Sequence, residues 1–462
     1  MSDNRSLAIL GLLASLVLPS ACQSASVPGS GTGGALGSGA TSSGGSSPAV
    51  GGSAPSVASG GSASGGSTSS GGAGSGSAGN ATGGVTAAGG QAASGGTASG
   101  DFPTASELTA SLTLGWNLGN SLDVPEGETE WGNPTVTAEL FAAVAALGFD
   151  AVRIPVTWSL HTGAGPDFLI DSAFLTRVEQ VVGYAEAAGL VAIVNVHHDG
   201  ADAYDGVEWL SLNDASGSVT AENNAAVLAR FSAIWSQIAT RFAGHGPGLL
   251  FESMNEIHDG YDAPDPVYYD IIGELNQTFV DLVRASGGNN AERVLVVPGY
   301  NTNIDYTVAG FTPPTDTPVD RLVLSVHFYD PWSYAGEGST HVWGAASPGT
   351  DSWGQEDYVV TQYDKLVTSF VSQGLPVIVG EYGAVQQDGY DDYRRYYMEY
   401  VTKVLVDRGI VPFYWDNGGA GTGADAFGLV SRSDYSSLHP EILAAMMRAA
   451  TEDYELTDIA AP

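Results

Sequence analysis

Cysteine is nearly absent from this chain. Of 462 residues only Cys22 carries a thiol, so no intrachain disulfide can form and the fold rests on its core. Lysine is almost as scarce, with Lys365 and Lys403 alone, and all basic residues number 15 against 51 acidic ones, a net charge of −36. So negative a surface repels nucleic acid and anionic polymers and leaves a neutral or cationic partner. The first hundred residues also lack almost every charged and aromatic group. From Gln23 to Gly100 the chain is Gly, Ser, Ala and Thr with scattered Pro and Val, too little apolar surface to offset the entropy of ordering it. A disordered Gly/Ser/Ala-rich linker is expected over 23–100, with a random-coil span on the order of 50 Å.

The apolar run LAILGLLASLVL (7–18) behind Arg5 has the length and flank of a signal-peptide core and falls short of a membrane span. Residues 1–22 therefore read as an export leader. LPSAC (18–22) resembles a bacterial lipoprotein box, with Pro19 where a Leu is usual, and two outcomes stay open: a lipid on Cys22, which would attach the protein to a membrane, or ordinary cleavage in the Ala/Ser stretch that follows. The expected location is secreted, or anchored at the cell surface or outer membrane.

Residues 101–462 form the third region. Eight short apolar segments recur there: LTLGWNL (112–118), DAVRIPV (150–156), VAIVNVH (191–197), LLFESMN (249–255), RVLVVPG (293–299), LVLSVHF (322–328), PVIVGEY (376–382) and IVPFYWD (410–416). Each is continuous rather than alternating, the mark of strands buried on both faces. Amphipathic stretches separate them, several stopping at a glycine such as Gly189 or Gly374 where a left-handed helix cap is wanted. Eight such strands with intervening helices predict an α/β fold, a (β/α)8 TIM barrel preceded by the linker.

In that barrel the C-terminal strand ends form the active face, so polar residues closing apolar strands are the site candidates. They are Asn117 and Asn120, Arg153, His197 and His198, Asn255 and Glu256, His327 and Tyr329, Glu381, and Trp415. Glu256 and Glu381 close strands four and seven, which face each other across the mouth. Two carboxylates across a cleft equip an enzyme for glycosidic cleavage, one protonated to donate to the leaving oxygen and one ionised to attack or to activate water. Arg153 has the charge to keep one of them ionised. Trp116, Trp131, Trp209, Trp332, Trp343, Trp353 and Trp415 fall at strand ends or in the loops beyond, where a ring can stack on a sugar face; Trp158 and Trp235 read as core. No phosphate-cradling loop and no Ser or Cys nucleophile with a base stands among the strand ends.

GWNLGNSLD (115–123), VRIPVTW (152–158), VNVHHD (194–199), SMNEIHDG (253–260), SVHFYDPW (325–332), VGEYGA (379–384) and FYWDNGG (413–419) together resemble glycoside hydrolase family 5 over the whole barrel. The resemblance implies a retaining double displacement with Glu256 as acid/base and Glu381 as nucleophile, supported by Arg153, His197, Asn255, His327, Tyr329 and Trp415. It is nearest the branch rich in endo-β-1,4-glucanases, some of which take mixed-linkage glucan or xyloglucan. A β-glucan is then the expected partner, with no cofactor, no metal and a monomeric enzyme. A β-mannanase or xyloglucan-specific hydrolase on the same residues is the alternative within enzymes. A metal-dependent hydrolase built on His197, His198, Asp199 and Glu256 would leave Glu381 and Trp415 without a role, and a non-catalytic glycan-binding protein would have no use for the glutamate pair.

Overall fold

All eight apolar runs form strands: β1 (Gly115–Leu118), β2 (Ala151–Ile154), β3 (Val191–Asn195), β4 (Leu249–Glu252), β5 (Leu295–Pro298), β6 (Leu322–Phe328), β7 (Val377–Tyr382) and β8 (Val411–Asp416). They pair in parallel, each with the next, and β8 closes on β1. This computed structural model describes residues 102–200 and 207–462; the expected leader, Cys22 and the linker lie outside them. The expected barrel is present, with α1 (Ala105–Ser111) ahead of it. Its helices are α2 (Ala138–Ala146), α3 (Ser172–Ala187), α4 (Ala221–Arg241), α5 (Pro266–Ala285), α6 (Ile304–Gly310), the short α7 (Trp332–Ala335), α8 (Glu356–Ser369), α9 (Asp391–Val406) and α10 (Pro440–Thr451). Among the described residues no helix is long and apolar enough to cross a membrane.

Helix α4 shows how the shell is specified. Thr220 caps its first turn by accepting from the Asn223 amide at 3.2 Å. Val227, Phe231, Ile234, Trp235 and Ile238 then recur at three- and four-residue spacing and are buried on one face. Trp235 lies edge-on to Phe279 of α5, with centroids 4.5 Å apart, and its indole donates to the Ser253 carbonyl at 3.0 Å. Truncating Phe231 to Ala would cost about 3–5 kcal/mol.

Inside the barrel, alternate residues face inward. Ala151, Ile193, Leu250, Val296, Val323, Ile378, Val411 and Phe413 make one apolar cluster with Ala105 and Leu108 of α1. Two residues further along their strands the inward positions turn polar: Gly115 is followed by Asn117, Ala151 by Arg153, Ile193 by Asn195, and Leu250 by Glu252. The site stands on this polar layer.

Strand β7 breaks the alternation. Counting by twos from inward Ile378 would make Gly380 the next inward residue and turn Glu381 away. The register shifts instead, with Val326 opposite Val379 but His327 opposite Glu381, and the β7–β8 pairing shifts over the same residues. The extra residue is Gly380, a bulge that re-aims the following side chain into the mouth. A Cβ at position 380 would stand 2.7 Å from Ser325 Oγ and 3.1 Å from His327 Nε2, so glycine is required there.

Candidate active site

Arg153 is the hub. Wholly buried, it donates from Nε to Glu252 at 2.7 Å, from Nη1 to Glu381 at 2.7 Å and to Asn117 at 3.1 Å, and from Nη2 to Asn255 at 2.7 Å. Burial works against its charge, but Glu252 and Glu381 together raise its pKa further above the usual guanidinium range. Asn117 in turn donates to the carbonyl of the bulged Gly380 at 2.8 Å. One fork thus holds the end of β4 and the nucleophile candidate on β7 in fixed relation.

Glu381 accepts a second bond from Tyr329 at 3.1 Å. His327 Nδ1 lies 2.6 Å from Glu256 Oε1 and 3.7 Å from Glu381 Oε2. Burial raises the Glu381 carboxyl pKa against the charges of His327 and Arg153. Burial acts the same way on Glu256, yet the His327 hydrogen bond and the charges of His327, His258 and Arg153 outweigh it, and the net direction is down. These shifts run opposite to the simple expectation of a protonated Glu256 beside an ionised Glu381. At Glu256 the hydrogen bond from His327 and the neighbouring positive charges outweigh burial, whereas at Glu381 burial prevails. Glu381 has a guanidinium and a phenol as donors, which favour its ionised form.

Asn195 donates from Nδ2 to Glu252 at 3.0 Å and lies 3.2 Å from His197 Nδ1. Burial holds His197 well below the usual imidazole range, with the charges of His198, Arg153 and His327 adding to it. The neutral ring therefore accepts at Nδ1 and carries its proton on Nε2, which is buried and has no partner among the described residues. Trp415 stacks on this ring at 5.9 Å and 9°. His198 lies 3.7 Å from Asp123 and 5.7 Å, ring to ring, from Trp131.

The tryptophans divide. Trp116 and Trp343, read as stacking candidates, are wholly buried: Trp116 binds Asp416 through its indole under the Arg432 guanidinium, and Trp343 packs among Tyr396, Tyr397 and Tyr400. Neither has a face for a sugar. Trp209 is half-buried, its indole bound to Asp199 at 2.7 Å and its ring covered by Arg230. Trp332 stands edge-on to Tyr329, and Trp353, 44% exposed, edge-on to Tyr358. Trp158 and Trp235 are core, as expected. An open recess of about 510 Å³ leads from Glu256 and His327 past Asn301 and Asn303 to Asp305, Tyr358 and Gln362.

The metal set considered from the sequence does not assemble. Asp199 is taken by Ser159, the Trp158 amide and Trp209. Among the described residues, the groupings close enough to suit a cation are Asp123 with His197 and His198, and Glu256 with His327 and Glu381. Glu252 and Asn195 join the site although they lie below the strand ends. Their signal was there: a charged or amide side chain within a strand otherwise buried on both faces.

A model of the cellulase family, glycosyl hydrolase family 5, matches residues 117–421. The chain belongs to glycoside hydrolase family 5. Endoglucanase A of Paenibacillus barcinonensis is 40% identical over 369 residues, 75% of this chain and 90% of that one. Among solved structures, a GH5-4 broad specificity endoglucanase from Bacteroides salanitronis aligns at 46% identity and TM-score 0.71, covering 75% of this chain and 95% of its own. A family 5 xyloglucanase from Paenibacillus pabuli aligns at 41% and 0.69, covering 74% and 100%. The matched part of this family 5 chain includes the polar layer, the β7 bulge, strands β2 to β8 and the end of β1.

Proposed function

We propose that this chain is an endo-acting, configuration-retaining β-1,4-glucanase, with Glu381 as nucleophile and Glu256 as acid/base. One observation carries the reading. A carboxylate oxygen of each glutamate and a ring nitrogen of His327 all lie within 4.8 Å of one another, which suits the separation of about 5–5.5 Å of retaining enzymes and not the roughly 6.5–9.5 Å of inverting ones.

Glu381, oriented by Arg153 and Tyr329, attacks the anomeric carbon while Glu256, protonated for this step, passes its proton to the departing oxygen and is left as a carboxylate. A glycosyl ester forms on Glu381. Glu256, now a carboxylate, takes a proton from water, which attacks the same carbon and releases the sugar with its configuration kept. The His197 Nε2–H and the Asn255 amide supply donors for sugar hydroxyls, and Trp415 floors the sugar at the cleavage point. Trp131 beside His198 extends the cleft on one side of Glu256. The open recess, with Trp332 and Trp353 near it, extends it on the leaving-group side. The acidic surface suits a neutral polymer, and likeness to a xyloglucanase supports a branched glucan as a further substrate. Export by residues 1–22, with Cys22 as the lipid site, and a tether over 23–100 are part of the same proposal and rest on sequence alone.

The test is paired: Glu381→Ala and Glu256→Gln, assayed for reducing ends on soluble β-glucans, should each lose turnover by about three orders of magnitude while polymer binding persists. Near-normal turnover in either variant ends the assignment.

A further inference from the structure

Glu252 lies wholly buried at the end of β4, opposite Asn195 in the strand register. Its Oε2 accepts from two neighbours, Arg153 Nε at 2.7 Å and Asn195 Nδ2 at 3.0 Å, and its Oε1 has no partner among the described residues. Each neighbour hands the constraint on. Arg153 reaches Glu381 and Asn255 with the rest of its fork, and the Asn195 amide meets His197 Nδ1. A carboxylate with no solvent contact is costly to keep, and simple pairing with Arg153 does not explain why the same oxygen also orients the amide that sets the His197 tautomer.

We propose that Glu252 is the positioning residue of this site: it fixes the plane of Arg153 and the amide of Asn195, and its charge offsets the guanidinium so that Glu381 stays basic enough to attack. The inference rests on Glu381 being the nucleophile. With Glu252 ionised, the trio Glu252, Arg153 and Glu381 carries one net negative charge; with Glu252 neutral it carries none, and Glu381 faces an unopposed cation. An unopposed cation stabilises the carboxylate, lowers its proton affinity and weakens it as a nucleophile. The titratable groups facing Glu381 are Arg153 from β2, His327 and Tyr329 from β6 and its end, and Glu256 beyond β4. Those around Glu252 are Arg153 and, through Asn195, His197.

Glu252→Gln separates charge from geometry. The amide oxygen can accept both existing bonds, and the new NH2 falls where Oε1 now has no partner. The experiment follows inactivation by a dinitrophenyl 2-deoxy-2-fluoro-β-cellobioside across pH, with peptide mapping of the label, in the full-length protein and in E252Q. The expected result is labelling of Glu381 in both, with the acid limb of E252Q about one pH unit lower, its plateau rate about tenfold lower, and its saturation constant little changed. E252D keeps the charge while shortening the reach; its acid limb should stay at the wild-type position although its plateau falls. An unmoved acid limb and wild-type plateau in E252Q, or equal shifts in E252Q and E252D, overturn the role of Glu252 and leave the catalytic assignment standing. A label away from Glu381 in the wild type overturns that assignment instead.

Discussion

Arg153→Lys keeps the positive charge and removes the fork, and the structure sets the size of its effect. The lysine nitrogen falls near the guanidinium carbon, one bond of about 1.3 Å short of the Nη positions that meet Glu381, Asn117 and Asn255. The 2.7 Å contact to Glu381 then opens to about 4 Å. With an effective dielectric of about 20, the pair energy drops from about 6 to about 4 kcal/mol. About 2 kcal/mol of lost preference for the ionised nucleophile is roughly 1.5 pH units, and the sign is upward: Glu381, already raised by burial, would bind its proton to higher pH. The acid limb of kcat/KM on an aryl cellobioside should move up by that amount, and the pH-independent plateau should fall about 30-fold as the hydrogen bonds to Asn255 and Asn117 are lost together. A folded R153K enzyme within threefold of wild-type turnover, with its acid limb unmoved, refutes the account of Arg153 as hub.

Further outcomes follow from the same geometry. Glu256→Gln should leave the first, covalent step on a dinitrophenyl cellobioside within about tenfold of wild type, because that leaving group needs no proton, while turnover on polymer collapses; equal loss on both substrates would remove the acid role. Trp415→Ala takes away the ring stacked on His197 and should lower kcat/KM on cellooligosaccharides by about 10- to 100-fold, reversing part of the loss in Trp415→Phe; full activity in the alanine variant would mean the ring is packing alone. Burial pushes the Asp330 carboxyl up to about 6 despite its bond from Tyr358. The folded state thus favours the protonated acid, and that contribution, complete below about pH 4, is lost as pH rises through 6. Asp330→Asn should therefore gain stability over wild type above pH 6, by at most about 3 kcal/mol, and none at pH 4; urea unfolding at the two pH values decides it.

The barrel was legible because each strand is buried on both faces and so reads as an unbroken apolar run; all eight lie within the segments expected. The chemistry at the rim was legible because His197, Asn255, Glu256 and His327 interrupt or follow those runs. Two things were hidden. Inside a continuous run the inward and outward residues look alike, so Trp116, one step from inward Gly115, reads as a rim residue although it faces the helices. The other was depth: LLFESMN turns polar at Glu252, three residues before Asn255, and a polar residue below the rim needs partners that only the closed barrel supplies.

The bulge at Gly380 has a consequence for anyone moving this pair of glutamates. The direction of Glu381 is written into the parity of a backbone, since both neighbouring strands shift their pairing around one surplus residue. No choice of rotamer at a regular strand position reproduces it. Transplantation to another scaffold has to carry residues 377–382 as a cassette, together with a pair of flanking strands able to absorb the offset.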